Sequence, residues 1–161
     1  MLSYQGVFFE GEMLAIIYSN EAKHLPVIND EIHCTFKYCP SEEEIFDEIV
    51  GQEVEVYLIG HGFDENNSGF QIAFPKEYNQ YYINYDEEKS EKVLKVPHIT
   101  SSIAEGAKAS NTKNLKFKSF EKPIKIIGRF GYWIKEEDNE YISYAPYKTD
   151  EINERGYLWY T

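Results

Sequence analysis

The sequence predicts an α+β fold built mainly from antiparallel sheet, with few helices. Three observations predict it. Runs that alternate apolar and polar residues recur along most of the chain, as in Glu53-Val54-Glu55-Val56-Tyr57-Leu58-Ile59, and a period of two marks a half-buried strand. Apolar residues at helical spacing stand out in two early segments. Turn-forming Gly, Pro, Asn and Asp punctuate the rest, so strand follows strand.

Taken in order, Tyr4 to Glu10 reads as a strand that Gly11 breaks. Met13, Leu14, Ile16, Ile17 and Tyr18 recur at helical spacing and predict a short helix, which Pro26 bounds. Ile32 to Tyr38 is the next strand, stopped by Pro40. Ser41 followed by Glu42, Glu43 and Glu44 is a helix start, with Ile45, Phe46, Ile49 and Val50 as its apolar face and Gly51 as its end. Glu53 to Ile59 is a strand, Gly60 to Gly69 a hairpin loop, and Phe70 to Phe74 the returning strand. Pro75 to Lys92, dense in tyrosine, is expected as a loop, a lid or a short helix. Val93 to Ser101 is a strand and Ser102 to Asn114, small and polar, a loop. Leu115–Phe120, Ile124–Ile134 and Glu140–Tyr144 read as closing strands, and the tail around Tyr157-Leu158-Trp159 as a docked edge strand.

The 161 residues suit a single domain of two lobes, with a hydrophobic share of 42% supplying a core. Tyrosine is abundant at 14 residues, and its ring with a polar tip suits half-buried sheets and ligand clefts. The net charge of −12 opposes a long polyanion more than a small one. Cys34 and Cys39 form no disulfide framework and no CxxC. The N-terminus carries no basic region leading into an apolar run, so neither a signal peptide nor a membrane span is expected. Free thiols without an export signal point to the cytoplasm.

The informative features are His33-Cys34-Thr35-Phe36 and His98-Ile99-Thr100-Ser101. Side chains on a strand alternate faces, so His33 and Thr35 share one face and His98 and Thr100 another, with Cys34 and Ile99 pointing to the core. Two strands thus each present an imidazole and a hydroxyl. Phosphodiester cleavage needs a base for the nucleophile and an acid for the leaving oxygen. Histidine titrates near neutrality, so one ring can serve as each at one pH. The hydroxyls can donate to phosphate oxygens, and no metal or other cofactor is required. A single H-x-T is too short to carry weight, but two among only four histidines form a matched pair. His61, in Gly60-His61-Gly62, and His24 lack the partner threonine and read as turn or surface histidines. No HExxH or cysteine pair supports zinc. The Glu42–Glu44 run reads as a solvated helix start rather than a catalytic carboxylate cluster.

Two H-x-T strands, together with Val96-Pro97-His98-Ile99-Thr100-Ser101-Ser102-Ile103-Ala104-Glu105-Gly106 and the following residues to Asn111, resemble the 2H phosphoesterase superfamily. The segment is similar to the cyclic phosphodiesterase domain of tRNA ligases and to the phage anti-CBASS enzymes that degrade cyclic oligonucleotide immune signals. The resemblance spans roughly residues 1 to 135 and leaves the tail unassigned. It implies a bilobal fold, two mainly antiparallel sheets facing across a central cleft. It makes His33 and His98 the acid–base pair and Thr35 and Thr100 the phosphate ligands. Phe36 matches the apolar residue that usually follows the threonine, whereas Ser101 departs from it.

The acidic balance favours a small cyclic nucleotide or cyclic oligonucleotide as substrate over long RNA. Lys37, Lys95 and Lys108 could supply local positive charge, and Tyr4 and the tyrosines of residues 78–85 could stack on bases. Two alternatives stand beside this expectation: hydrolysis of 2′,3′-cyclic RNA ends, and a module that binds a nucleotide without cutting it.

Overall fold

A computed structural model describes residues 2–21, 24–41, 45–86, 91–94 and 97–147, and the side chains of these apart from Lys37 and residues 82–94. The fold is α+β, mostly antiparallel strands with few helical turns. The chain divides into two compact units. The first comprises Met1–Val7, Thr35–Glu53 and Arg129–Thr161, the second Phe8–Cys34 and Val54–Gly128. Strands β1 (Leu2–Phe8), β3 (His33–Tyr38) and β9 (Lys118–Glu136) contribute residues to both.

In the second unit, helix α1 (Glu12–Ser19) follows β1, as its apolar spacing predicts, and buries Ile17. The strands β2 (Val27–Ile28), β8 (His98–Ile103), β5 (Asn67–Ala73), β4 (Glu53–Phe63) and β9 neighbour one another in that order. β2/β8, β8/β5 and β5/β4 are antiparallel pairs. Val54, Val56 and Leu58 are buried while Glu53 and Glu55 are exposed, the alternation read from the sequence. Phe70, Ile72 and Ile99 complete an apolar core from the neighbouring strands.

The Gly60–Gly69 loop is corrected to a continuation of β4 to Phe63 and a turn over residues 64–66. Asp64 makes that turn, its Oδ1 accepting from the Asn66 and Asn67 amides at 2.8 Å. Gly60 and Gly62 are strand residues at a close approach. A Cβ on Gly60 would sit 3.0 Å from the Lys118 carbonyl oxygen, and one on Gly62 3.1 Å from Leu115 Cβ. The tyrosine-dense stretch after β5 forms a 3-10 helix (Lys76–Tyr82), then the antiparallel hairpin β6 (Ile83–Asp86) and β7 (Glu91–Leu94). The strand expected over 93–101 is therefore two strands, β7 and β8. β8 runs on to Ile103, and Ala109–Asn114 is a 3-10 helix where a loop was expected.

In the first unit, β9, β1 and β3 neighbour in that order, and β10 (Asn139–Ser143) pairs antiparallel with β9. Its core holds Leu2, Ile45, Tyr132 and Ile134, with Val50 and Tyr147 packed against them. The helix expected from Ser41 to Val50 is reduced, among the described residues, to a 3-10 turn at Asp47–Ile49. The Gln5 side chain explains the difference: its amide donates to the Phe46 carbonyl and accepts from the Phe46 N–H, both at 2.9 Å. A helix would need those same backbone groups. Asp47 accepts from the Tyr132 hydroxyl and from the Tyr147 amide, which pins the turn to β9. β9 also joins two segments that were expected to be separate strands, with Pro123 inside it. The expected tail strand near Trp159 and the Glu42–Glu44 run lie outside the described residues.

Gly69 is a point of close approach in the β5/β8 pair. A Cβ there would fall on the Ile99 carbonyl oxygen and 2.7 Å from Thr112 Cγ2. Overpacking of this kind costs about 1–3 kcal/mol or more. Gly69→Ala is therefore expected to lower the unfolding free energy measured by urea denaturation by at least that amount, whereas Gly106→Ala, with nothing near the Cβ position, costs only the strain of its left-handed backbone.

Candidate functional site

His33 and His98 both belong to the second unit. His33 is half-buried at the start of β3, with the Phe8 ring 5.8 Å from its own. Its Nδ1 lies 2.8 Å from the Glu31 carbonyl oxygen. A carbonyl only accepts, so Nδ1 carries the proton and, in the neutral ring, Nε2 carries the lone pair. Burial pushes the imidazole below its ordinary value, and the charge of His98 pushes it the same way, against the Glu31 bond, which raises it. His98 opens β8 opposite Gln71 on β5 and is half-buried. The two imidazoles are thus electrostatic neighbours although they stand far apart in sequence.

On β3 the expected parity holds. Ile32, Cys34 and Phe36 are buried, while His33 and Thr35 are half-buried. Thr35 itself falls in the first unit. On β8 the alternation ends after His98, because residues 99 to 102 are all buried. Thr100 is 8% exposed and lies under the 3-10 helix Ala109–Asn114. Its Oγ1 is 2.7 Å from Thr112 Oγ1 and donates to the Ala109 carbonyl at 3.2 Å. Asn67 Nδ2 completes the chain, donating to Thr112 Oγ1 at 3.1 Å and to the Lys108 carbonyl at 2.8 Å. With Asn67 as the first donor, Thr112 donates to Thr100, and the single Thr100 proton goes to Ala109. Thr100 therefore fastens the 3-10 helix to β8.

The expected substrate contacts fare unequally. Lys108 is exposed beside the 3-10 helix. Tyr4 is 7% exposed, stacked on Trp133 and edge-on to Tyr38 in the first unit, so its ring is taken up by packing rather than offered to a base. Tyr78 and Tyr81 lie in the 3-10 helix after β5 with their rings 6.3 Å apart. The side chains of Lys37, Tyr82 and Tyr85, and all of Lys95, lie outside the described residues.

Sequence reading missed a second polar centre in this unit. Glu21 follows α1, and its side chain has no exposed surface. Its Oε1 accepts from the hydroxyls of Ser68 on β5 and Ser101 on β8. Its Oε2 is 2.7 Å from His24 Nδ1. His61, read as a turn residue, is instead 8% exposed inside β4, edge-on to Phe70. Its Nε2 is 3.2 Å from Ser68 Oγ and 3.5 Å from Glu21 Oε1. Ser68 donates to Glu21, so His61 must donate to Ser68. A nucleophilic serine needs the reverse, an imidazole that accepts its proton while its other nitrogen faces the acid. Ser68 and Ser101 are also fully buried. The centre is therefore a clamp for a carboxylate, and it accounts for Ser101: β8 turns a hydroxyl towards Glu21 where an apolar residue was expected. Among the described residues, no three His, Cys, Asp or Glu side chains are grouped to hold a metal ion.

Burial alone would push the Glu21 carboxyl up, but hydrogen bonds from His61, Ser101 and Ser68 and the charge of His24 hold it below the ordinary value of 4.5. A lowered native value means that the unfolded chain binds the proton more readily. The stability from Glu21 is therefore complete well above pH 4.5 and lost as pH falls through the lowered native value. Glu21→Gln is expected to cost about 1–3 kcal/mol near neutrality and to flatten the acid limb of a stability-against-pH curve measured by chemical denaturation. An unchanged acid limb would show that the carboxylate is not the clamp. No protein-family model matches this chain, and no curated protein matches it.

Proposed function

We propose that the protein is a metal-independent phosphodiesterase that hydrolyses a small cyclic nucleotide or cyclic oligonucleotide with two histidines. The observation that carries this reading is that His33 and His98, half-buried on β3 and β8, belong to one compact unit, with the Nδ1 proton of His33 held by the Glu31 carbonyl. The bilobal 2H phosphoesterase-like architecture and the phosphate-ligand roles of Thr35 and Thr100 rest on the sequence resemblance.

The depressed titration of His33 keeps its ring neutral near pH 7. It is suited to be the base: Nε2 takes a proton from water as the oxygen attacks phosphorus. His98, protonated, gives its proton to the leaving oxygen as the P–O bond breaks. One proton is taken and one given, so a ring exchange with solvent resets the pair. The net charge of −12 favours a compact substrate with few phosphates, and degradation of a cyclic nucleotide signal, including phage evasion of host immune signalling, fits that class.

One observation favours a second reading. The Thr100 hydroxyl donates within the protein, to Ala109, and that removes a donor from the phosphate. A cleft short of one phosphate donor would suit a module that binds a nucleotide and leaves it intact.

Incubation with a panel of cyclic dinucleotides and 2′,3′-cyclic RNA ends in EDTA separates these readings. Turnover of a cyclic dinucleotide is expected. His33→Ala and His98→Ala are each expected to slow it by about two to four orders of magnitude. The kcat/KM profile should rise with pH through the His33 titration, below about 6.5, and fall as His98 loses its proton. Turnover confined to RNA ends would move the substrate class to RNA, and tight binding with no turnover would favour the sequestering module.

A further inference from the structure

We propose that Asn29 is a positioning residue that sets the imidazole of His33 against the strand bearing His98, an inference that rests on the two-histidine reading. Asn29 sits where β2 leaves the edge of β8. β2 pairs Val27 with Ile103 and Ile28 with Ser102, and the Asn29 amide extends the ladder by donating to the Ser101 carbonyl at 2.9 Å. There the backbone pairing ends and the side chain takes over. Asn29 Nδ2 donates to the Thr100 carbonyl at 2.8 Å, and Oδ1 accepts from the Glu31 amide at 3.2 Å. The Asn29 carbonyl accepts from the Tyr18 hydroxyl at the end of α1. Two residues on, the Glu31 carbonyl accepts the His33 Nδ1 proton.

The path from β8 to the His33 ring is therefore short and specific: the Thr100 carbonyl, the Asn29 amide group, the Glu31 peptide, then Nδ1. It needs a side chain that donates on one side and accepts on the other at the reach of one methylene, and only asparagine among the encoded residues does this with an amide. Alanine removes both bonds. Aspartate keeps the acceptor for Glu31 but turns a second acceptor towards the Thr100 carbonyl. Leu25, upstream, adds a separate tie, its amide donating to Ser102 Oγ at 2.8 Å. Together with the Glu21 clamp, this tie holds the segment on β8 without Asn29, so loss of the Asn29 bonds loosens His33 rather than unfolding the unit.

The test needs no substrate. Ring ¹⁵N shifts and the titration of His33 are followed by NMR in the full chain, with and without His98→Ala, on three backgrounds: native, Asn29→Ala and Asn29→Asp. On the native background His98→Ala should raise the His33 titration, because a neighbouring positive charge is gone. The shift should fall to less than half in Asn29→Ala, and the Nδ1-protonated tautomer should give way to a mixture. Asn29→Asp should lose the coupling to His98 while keeping the tautomer, since it retains the bond to Glu31. It also serves if the alanine variant does not fold. Coupling of native size in Asn29→Asp, or in a folded Asn29→Ala, would overturn the proposal. Where turnover is present, Asn29→Ala should lower kcat by about tenfold to a hundredfold, with KM little changed. Failure of the phosphodiesterase reading would show separately, as no turnover by the native chain while the His33–His98 coupling persists.

Discussion

A carboxylate with no exposed surface must be neutralised where it lies, and much of the polar architecture of the second unit answers that demand at Glu21. Ionised and unpaired, such a group would cost several kcal/mol. Ser68 and Ser101 turn their hydroxyls to one oxygen, and His24 and His61 bring ring nitrogens to both. Those partners come from the segment after α1 and from β4, β5 and β8. The single charge therefore draws the post-helix segment down onto three strands. A buried ion cluster is not an efficient source of stability, but it is selective about geometry, because a shifted register would leave the carboxylate bare.

The consequence for the proposed function runs through β8. That strand is fastened on both faces: by Glu21 at Ser101, and by Thr112 and Ala109 at Thr100. His98 opens the strand just before this locked stretch. A general acid or base is effective only when held in a narrow range of positions, so a strand fixed on both faces makes a suitable mount. His33 arrives by another route, at the end of a segment laced to β8 by Leu25 and Asn29. Its Nδ1 proton is committed to a backbone carbonyl, which leaves ring chemistry to Nε2.

The parts legible in the sequence were those governed by local periodicity. Val54, Val56 and Leu58 announced β4, the apolar spacing from Met13 to Tyr18 announced α1, and the placement of His33 and Thr35 followed from strand parity. What was not legible depended on partners distant in sequence. Phe46 sits on the apolar face of an apparent helix, yet Gln5 claims its backbone. Thr100 has the parity of a surface residue, yet a 3-10 helix that follows it covers the hydroxyl. Gly60-His61-Gly62 has the look of a turn, but its glycines allow the Leu115–Lys118 segment to approach and its histidine faces a buried acid. Glu21 is one acidic residue among 28, and nothing local distinguishes it. The pairing of His61 with Ser68 seven residues on was the one clue close in sequence, and it acquires meaning only once β4 and β5 are paired.

The central claim is that His33 and His98 act on one phosphate. The most direct measurement is a crystal structure of the protein with a non-hydrolysable phosphorothioate analogue of a cyclic dinucleotide. The account predicts one phosphorus flanked by the two imidazoles, with His33 Nε2 and a ring nitrogen of His98 within hydrogen-bond reach of its oxygens or of an attacking water. A ligand bound elsewhere, or a phosphate that touches neither ring, would contradict it.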